Sequence, residues 1–210
     1  MPKRQAKNNT SPRGYLSWSQ LTLWERDPNL YYQVYLGDPV QSERYKKMLF
    51  GTRYVELGKR MATTLENGFD VERDPLFEML SVFLPPYPQR EFAINVDFEG
   101  IPIIGKLDGW NKKTMTIGEY KTGKHWTQGM VDQAGQLSMY ALLVWLKYKK
   151  LPKNIYLHWA RTSEDVENGL RLTGDIKTFK TERSLADLIV FSKRIKTAWA
   201  GICELGKLKK

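Results

Sequence analysis

The sequence predicts an α/β fold in which a mixed central β-sheet is flanked by helices and preceded by an N-terminal helical segment. Three observations predict it. Residues 91–121 hold three alternating segments divided by Glu99-Gly100 and by Asn111-Lys112-Lys113, the punctuation of an antiparallel meander. Residues 129–149 then run apolar at helical spacing. Two further strand-like segments at 154–161 and 170–178 lead into a terminal helix over 182–205. Strands and helices in this order form layers around one core.

The first elements are helical. Residues 1–14 are polar, basic and rich in Asn, Ser and Pro, which predicts a disordered arm, and 207–210 form a basic tail. One domain is expected over 15–206. From Ser17 to Tyr35 the pattern is helical: Ser17 or Ser19 caps the start, and Leu21, Trp24, Tyr31, Tyr32 and Val34 supply apolar surface, interrupted at Asp27-Pro28. A second helix is expected over 45–66, ending near Asn67-Gly68, and a short one around 75–83 before Pro85, Pro86 and Pro88. The meander strands follow at 91–98, 101–110 and 114–121.

Composition narrows the function. With 41% hydrophobic and 12% aromatic residues the 210-residue chain buries a real core and is not a disordered composition. A net charge of +10 favours a polyanionic partner such as a phosphate backbone, a weak signal by itself. No basic amphipathic helix with a clean apolar face suggests a membrane surface. Cys203 is the one cysteine, which excludes an internal disulfide, a zinc cluster of thiolates and a four-cysteine iron–sulfur site. Neither a span-length apolar run nor a hydrophobic leader segment is present, so the expectation is a soluble, cytoplasmic protein.

The chemistry concentrates in the meander. At a period of two, Met115, Ile117, Glu119 and Lys121 share one face of the third strand, and Ile104, Lys106 and Asp108 share a face of the second. The short turn between these strands places Asp108 beside Glu119. Glu and Lys are seldom buried unless paired or coordinating a metal. Two carboxylates beside a lysine suit a hard divalent cation, Mg²⁺ or Mn²⁺, which neutralises phosphate charge and acidifies a bound water. The bland alternative is a surface Glu119–Lys121 pair and a turn aspartate in Asp108-Gly109.

Gly105-Lys106-Leu107-Asp108-Gly109, followed by Ile117-Gly118-Glu119-Tyr120-Lys121-Thr122-Gly123-Lys124, resembles the core of PD-(D/E)xK nucleases, which have a restriction-endonuclease-like fold. The resemblance is closest to the RecB-like branch, which includes CRISPR-associated exonucleases: a G-x-[IL]-D strand, [DE]-x-K-T-G, then Q-x-x-x-Y on the next helix, matched here by Gln136 and Tyr140. Upstream, 16–21 with Tyr31 and then Phe50-Gly51-Thr52 resemble the branch's first two helices, so the match spans about 16–145. It implies that Asp108, Glu119 and Lys121 are catalytic, that Asp108, Glu119 and the Tyr120 carbonyl bind metal, and that Gln136 and Tyr140, with Gln133 on the same helix face, support the site and touch nucleic acid. The bland reading of that helix is packing of Leu137, Tyr140 and Val144 on the sheet. Lys124, His125 and Trp126 follow the motif and could meet phosphate or a base; a lone His is more often structural or solvated, and Trp126 could instead cover the sheet edge. His158, on a strand with Tyr156, reads as a core residue.

Two departures stand out. Many relatives carry a metal-binding His four residues after the glycine at position 51; here that position is Val55, which cannot ligate, and Glu56 follows it. Glu56 is either the replacement ligand or a surface partner of Arg60 at i,i+4. Where relatives place the first cysteine of an iron–sulfur cluster, this chain has Asp27-Pro28.

The resemblance therefore implies a Mg²⁺- or Mn²⁺-dependent DNA nuclease, an exonuclease before an endonuclease, without an iron–sulfur cluster. DNA, single- or double-stranded and including its ends, is the implied partner, with a homo-oligomer and a recombination, repair, CRISPR or phage partner left open and no membrane partner. Two rivals remain: an inactive nuclease fold that binds nucleic acid, and a basic RNA-binding or assembly protein with an accidental motif.

Overall fold

The computed structural model describes residues 14–35, 87–123, 125–165 and 169–207. The helices expected over 45–66 and 75–83, with Gly51, Val55, Glu56 and Arg60, lie outside the described residues, as does Lys124.

The first helical segment divides as its sequence suggests. Helix α1 (Trp18–Arg26) is capped by Ser17, whose Oγ accepts the Gln20 N–H at 3.4 Å. Helix α2 (Pro28–Tyr35) starts on a proline, whose missing N–H costs nothing in a first turn, while Asp27 Oδ1 accepts the Leu30 N–H at 2.9 Å.

Five strands form one sheet in sequence order: β1 (Gln89–Phe98), β2 (Ile101–Asn111), β3 (Thr116–Gly123), β4 (Asn154–Asp165) and β5 (Gly169–Thr181). Only β3 and β4 run parallel; the other neighbours are antiparallel. A parallel pair needs a crossover, which α3 (Gln128–Asp132) and α4 (Gly135–Tyr148) supply, and α5 (Leu185–Lys207) closes the chain. Glu99 and Gly100, at φ 53 and 84, make the tight turn the meander needs.

Three expectations shift. Strand β3 begins at Thr116 instead of 114, because Asn111 Oδ1 accepts the N–H groups of Lys113 and Thr114 and Met115 takes φ 51, which spends four residues on the turn. Met115 therefore leaves the face assigned to it. The helix expected over 129–149 is two helices broken at Gln133-Ala134, with Ala134 extended at ψ 106. Helix α5 starts at Leu185 because Ser184 and Asp187 form a reciprocal capping box, the Ser184 N–H reaching Asp187 Oδ2 at 2.7 Å and the Asp187 N–H reaching Ser184 Oγ at 3.2 Å.

The core lies between the sheet and helices α4 and α5. Leu137, Met139, Ala141, Leu143 and Val144 of α4 are fully buried, and Leu188, Phe191, Ile195 and Ile202 of α5 nearly so. Each large side chain contributes about 1.5–3 kcal/mol of burial. Trp110 stacks between Phe92 at 6.3 Å and Tyr148 at 5.6 Å. Helix α1 is tied to α5 by a two-toothed Glu25–Arg194 ion pair at 2.9 and 2.7 Å. Among the described residues no helix is long and apolar enough to cross a membrane.

One irregularity positions the site. The β2–β3 ladder has three pairs, Gly109↔Gly118, Trp110↔Ile117 and Asn111↔Thr116. At the other end of β2 the backbone of Leu16 pairs instead, donating to Pro102 O at 2.8 Å and accepting from the Ile104 N–H at 2.9 Å. Between these pairings a side-chain hydroxyl meets the Lys106 carbonyl, and the Asp108 carboxylate reaches across to the backbone of β3.

Candidate active site

Glu119 and Lys121 project from β3, a strand buried along most of its length. Glu119 is 1% exposed, and its Oε1 lies 2.5 Å from Lys121 Nζ. The same ammonium donates to Gln136 Oε1 at 2.8 Å; Gln136 Nε2 donates to the Tyr140 hydroxyl at 2.8 Å, and that hydroxyl donates to Lys106 O at 2.8 Å. Gln136 and Tyr140 are four apart on α4, hence on one face. The relay fixes the lysine head to both α4 and β2.

Asp108 occupies the point where β2 and β3 part. Its Oδ2 accepts the Tyr120 N–H at 2.9 Å, a side chain standing where a ladder partner would. A strand residue's N–H and C=O leave the same edge, so the Tyr120 carbonyl also faces this gap. Burial, then the neighbouring Glu119 carboxylate, hold the Asp108 carboxyl well above the usual range, against the opposing pull of the Tyr120 N–H and Lys121. For Lys121 burial works against the ammonium, yet Glu119 and Asp108 outweigh it and hold its pKa above the ordinary value. Lys121 is thus a charged donor at neutral pH.

These groups fit a divalent cation. Glu119 Oε2 is buried and has no hydrogen-bond partner among the described residues, and such an oxygen is costly unless something positive satisfies it. The Asp108 carboxyl, raised first by burial and then by Glu119, would likewise be relieved by a nearby cation. Among the described residues no group of three His, Cys, Asp or Glu forms a metal site. The described groups that could hold such an ion are the Asp108 and Glu119 carboxylates and the Tyr120 carbonyl, fewer than an all-protein shell needs, as is common for Mg²⁺ sites.

Other expectations separate from this cluster. Gln133 ends α3 and is exposed, so the helix break removes it from the Gln136–Tyr140 face. His125 stands edge-on to Trp159 with ring centroids 5.4 Å apart, and Trp126 packs partly against the core. His158 is 2% exposed and doubly bonded, Nε2 to the Tyr87 hydroxyl at 2.8 Å and Nδ1 to Thr178 Oγ1 at 2.9 Å. Burial, with Arg90 nearby, lowers its pKa to about 4, so it is a neutral core histidine.

Sequence reasoning missed the support behind β2 and β3. A Cβ on Gly109 or on Gly118 would run into the Tyr87 ring, so this cross-strand pair forms a slot that only glycines leave open. Arg90 donates to the Tyr120 hydroxyl at 2.9 Å, and burial lifts that hydroxyl's pKa to about 12. The two glycines were the available signal; nothing local pointed to Tyr87.

The five-stranded mixed sheet with its flanking helices, split beside the Asp108–Glu119–Lys121 cluster, is an α/β core consistent with the PD-(D/E)xK-like one expected from the sequence. The chain is similar in structure to a crystal structure named "Putative exonuclease" from Eubacterium rectale, with TM-score 0.57 and 12% identity, covering 100% of this chain and 89% of that one. A phage-related exonuclease from Haemophilus somnus is also similar, with TM-score 0.44 and 13% identity over 74% of this chain and 83% of that one. No family model matches the sequence, and no curated protein does.

Proposed function

We propose that the protein is a divalent-metal-dependent deoxyribonuclease of the RecB-like branch of PD-(D/E)xK nucleases, lacking an iron–sulfur cluster and acting on DNA as an exonuclease. One observation carries the reading: a buried Glu119, one oxygen of which has no partner among the described residues, lies beside Asp108 and a lysine whose head is clamped by Gln136. The exonuclease-named structural neighbour shares the fold, and the +10 charge suits a phosphate backbone.

Asp108, Glu119 and the Tyr120 carbonyl would hold Mg²⁺ or Mn²⁺. Such an ion supplies charge neutralisation for the phosphate and a water of lowered pKa. Asp108 is kept in position by the Tyr120 N–H. Lys121 has three protons; two are committed to Glu119 and Gln136, which leaves the third for a water or a phosphate oxygen. Tyr140 keeps Gln136 from turning away.

Glu56 is proposed as the ligand that replaces the histidine missing at Val55. Glu56→Gln should raise the metal concentration for half-maximal activity while Arg60→Ala does not; an unchanged titration returns Glu56 to a surface role.

The test of the whole reading is cleavage of linear and circular, single- and double-stranded DNA with Mg²⁺ or Mn²⁺ and with chelator. The expected outcome is metal-dependent degradation of linear DNA from its ends, with intact circles resistant. Binding that is salt-sensitive but never followed by cleavage in metal would support the non-catalytic rival.

A further inference from the structure

Helix α4 presents Gln136 in its second position, so where Lys121 is held depends on where α4 starts. Locally that start is held by backbone bonds alone, such as Ala134 N–H to Val131 O and Leu137 N–H to Ala134 O, both at 3.1 Å. Ala134 offers no side-chain cap, and the chain is extended there after α3 ends. An unbroken helix would have carried Gln133 on the Gln136 face; the break resets the phase of everything that follows.

What meets the break comes from fifty residues away. Arg183, 6% exposed, sits between the end of β5 and the start of α5. Its Nη2 donates to Val131 O at 3.1 Å and Ala134 O at 3.3 Å, two carbonyls at the break. Its Nε donates to Ser138 Oγ at 2.8 Å, in the first turn of α4. Its Nη1 donates to Thr181 Oγ1 at 2.8 Å and Glu182 O at 2.7 Å. These bonds engage the donors of a guanidinium fork, and every acceptor is neutral. Burial costs the guanidinium, and Asp187 and Asp132 offset part of that cost through space. The effect of Arg183 is geometric: it bolts the β5–α5 junction to the first turn of α4.

We propose that Arg183 is a positioning residue for Lys121, acting through the start of α4 and the Gln136 carboxamide. The proposal rests on the nuclease reading for its kinetic consequence, though not for its structural one. Arg183→Lys keeps the charge but cannot span the fork, so the α3–α4 break loosens and Gln136 drifts.

The test uses Arg183→Lys, Ser138→Ala, Gln136→Ala and the double variant Arg183→Lys/Gln136→Ala, each assayed well below its melting temperature. Arg183→Lys should lower kcat about 10- to 100-fold, as a displacement near 1 Å does, with KM for DNA little changed. Ser138→Ala, which removes only the bond from the guanidinium to α4, should show a smaller loss of the same kind. In the Gln136→Ala background Arg183→Lys should add almost nothing. A second readout is the Gln136 side-chain amide signal in the NMR spectrum of metal-free protein. It should move toward the free-glutamine position in Arg183→Lys while the Trp110 indole signal stays. Additive kcat losses, or an unmoved Gln136 signal, would overturn the proposal. A wild-type chain that never cleaves DNA would instead overturn the nuclease reading, leaving the Gln136 signal to decide this one.

Discussion

The carboxylate of Asp108 accepts the backbone N–H of Tyr120 at 2.9 Å, across the point where β2 and β3 cease to pair. This bond ties one proposed metal ligand to the strand that bears the other. The same region carries its cost: Asp108 is burdened by burial and by Glu119.

That burden predicts a stability effect in metal-free protein. The folded state of Asp108 holds its proton more tightly than the unfolded state does. Its contribution to stability is therefore present at low pH and lost as pH rises through the raised folded value. Asp108→Asn cannot ionise and can still accept the Tyr120 N–H. Metal-free Asp108→Asn should melt a few degrees above wild type near pH 8, roughly the shift one or two kcal/mol produces in a chain this size, and the gap should close toward pH 4. Mn²⁺ should raise the melting temperature of wild type only. A variant that melts lower throughout would contradict the assigned burden.

Lys121 separates chemistry from binding. Lys121→Ala should lower turnover by about 10²- to 10⁴-fold, the range for a positioned proton-donating group. The sequence has 33 Lys and Arg residues, so losing one should change the salt slope of DNA binding by about one unit at most. Parallel losses in rate and affinity would make Lys121 an ordinary phosphate contact.

His158 gives a pH effect of the opposite sign. Its folded pKa is lowered to about 4, below the unfolded value near 6.5. The stability it contributes is full above the unfolded pKa and lost as pH falls toward the folded one, by up to about 3 kcal/mol. Asp108 acts oppositely in this window, so the comparison is with His158→Gln. Wild type should lose more stability than the variant between pH 7 and pH 4.5 in denaturant titrations. Equal losses would mean His158 titrates normally.

The glycine slot predicts non-additivity. Gly118→Ala drives a methyl into the Tyr87 ring, and overpacking of this kind costs about 1–3 kcal/mol. In a Tyr87→Ala background the same substitution should cost far less. Equal costs in both backgrounds would show that the ring yields freely.

The sequence carried the local part of this architecture well. Alternation and turn residues placed β1 to β3, because a hairpin's register follows from its turn, and the Asp27-Pro28 interruption divided α1 from α2 where it was expected. That Asp108, Glu119, Lys121, Gln136 and Tyr140 come together was legible because they follow a motif. What escaped depends on contacts distant in sequence. The α3–α4 break is met by Arg183, so the apolar period over 129–149 ran through it unseen and put Gln133 on the wrong face. Tyr87 lies thirty-one residues from Gly118 and meets it only after the sheet forms. Leu16, read only as part of a helix-opening motif, pairs with β2 through backbone groups that leave no trace in residue type.

The measurement closest to the central claim is Mn²⁺-dependent release of nucleotides from end-labelled linear DNA by wild type and by Glu119→Gln. Glu119 is 1% exposed, and the substitution keeps its shape while removing the charge that the unpartnered oxygen carries. The account predicts release by wild type that stops in chelator, and no release by Glu119→Gln at any Mn²⁺ concentration, with DNA binding retained. Release by Glu119→Gln at the wild-type rate, or undiminished release in chelator, would contradict it.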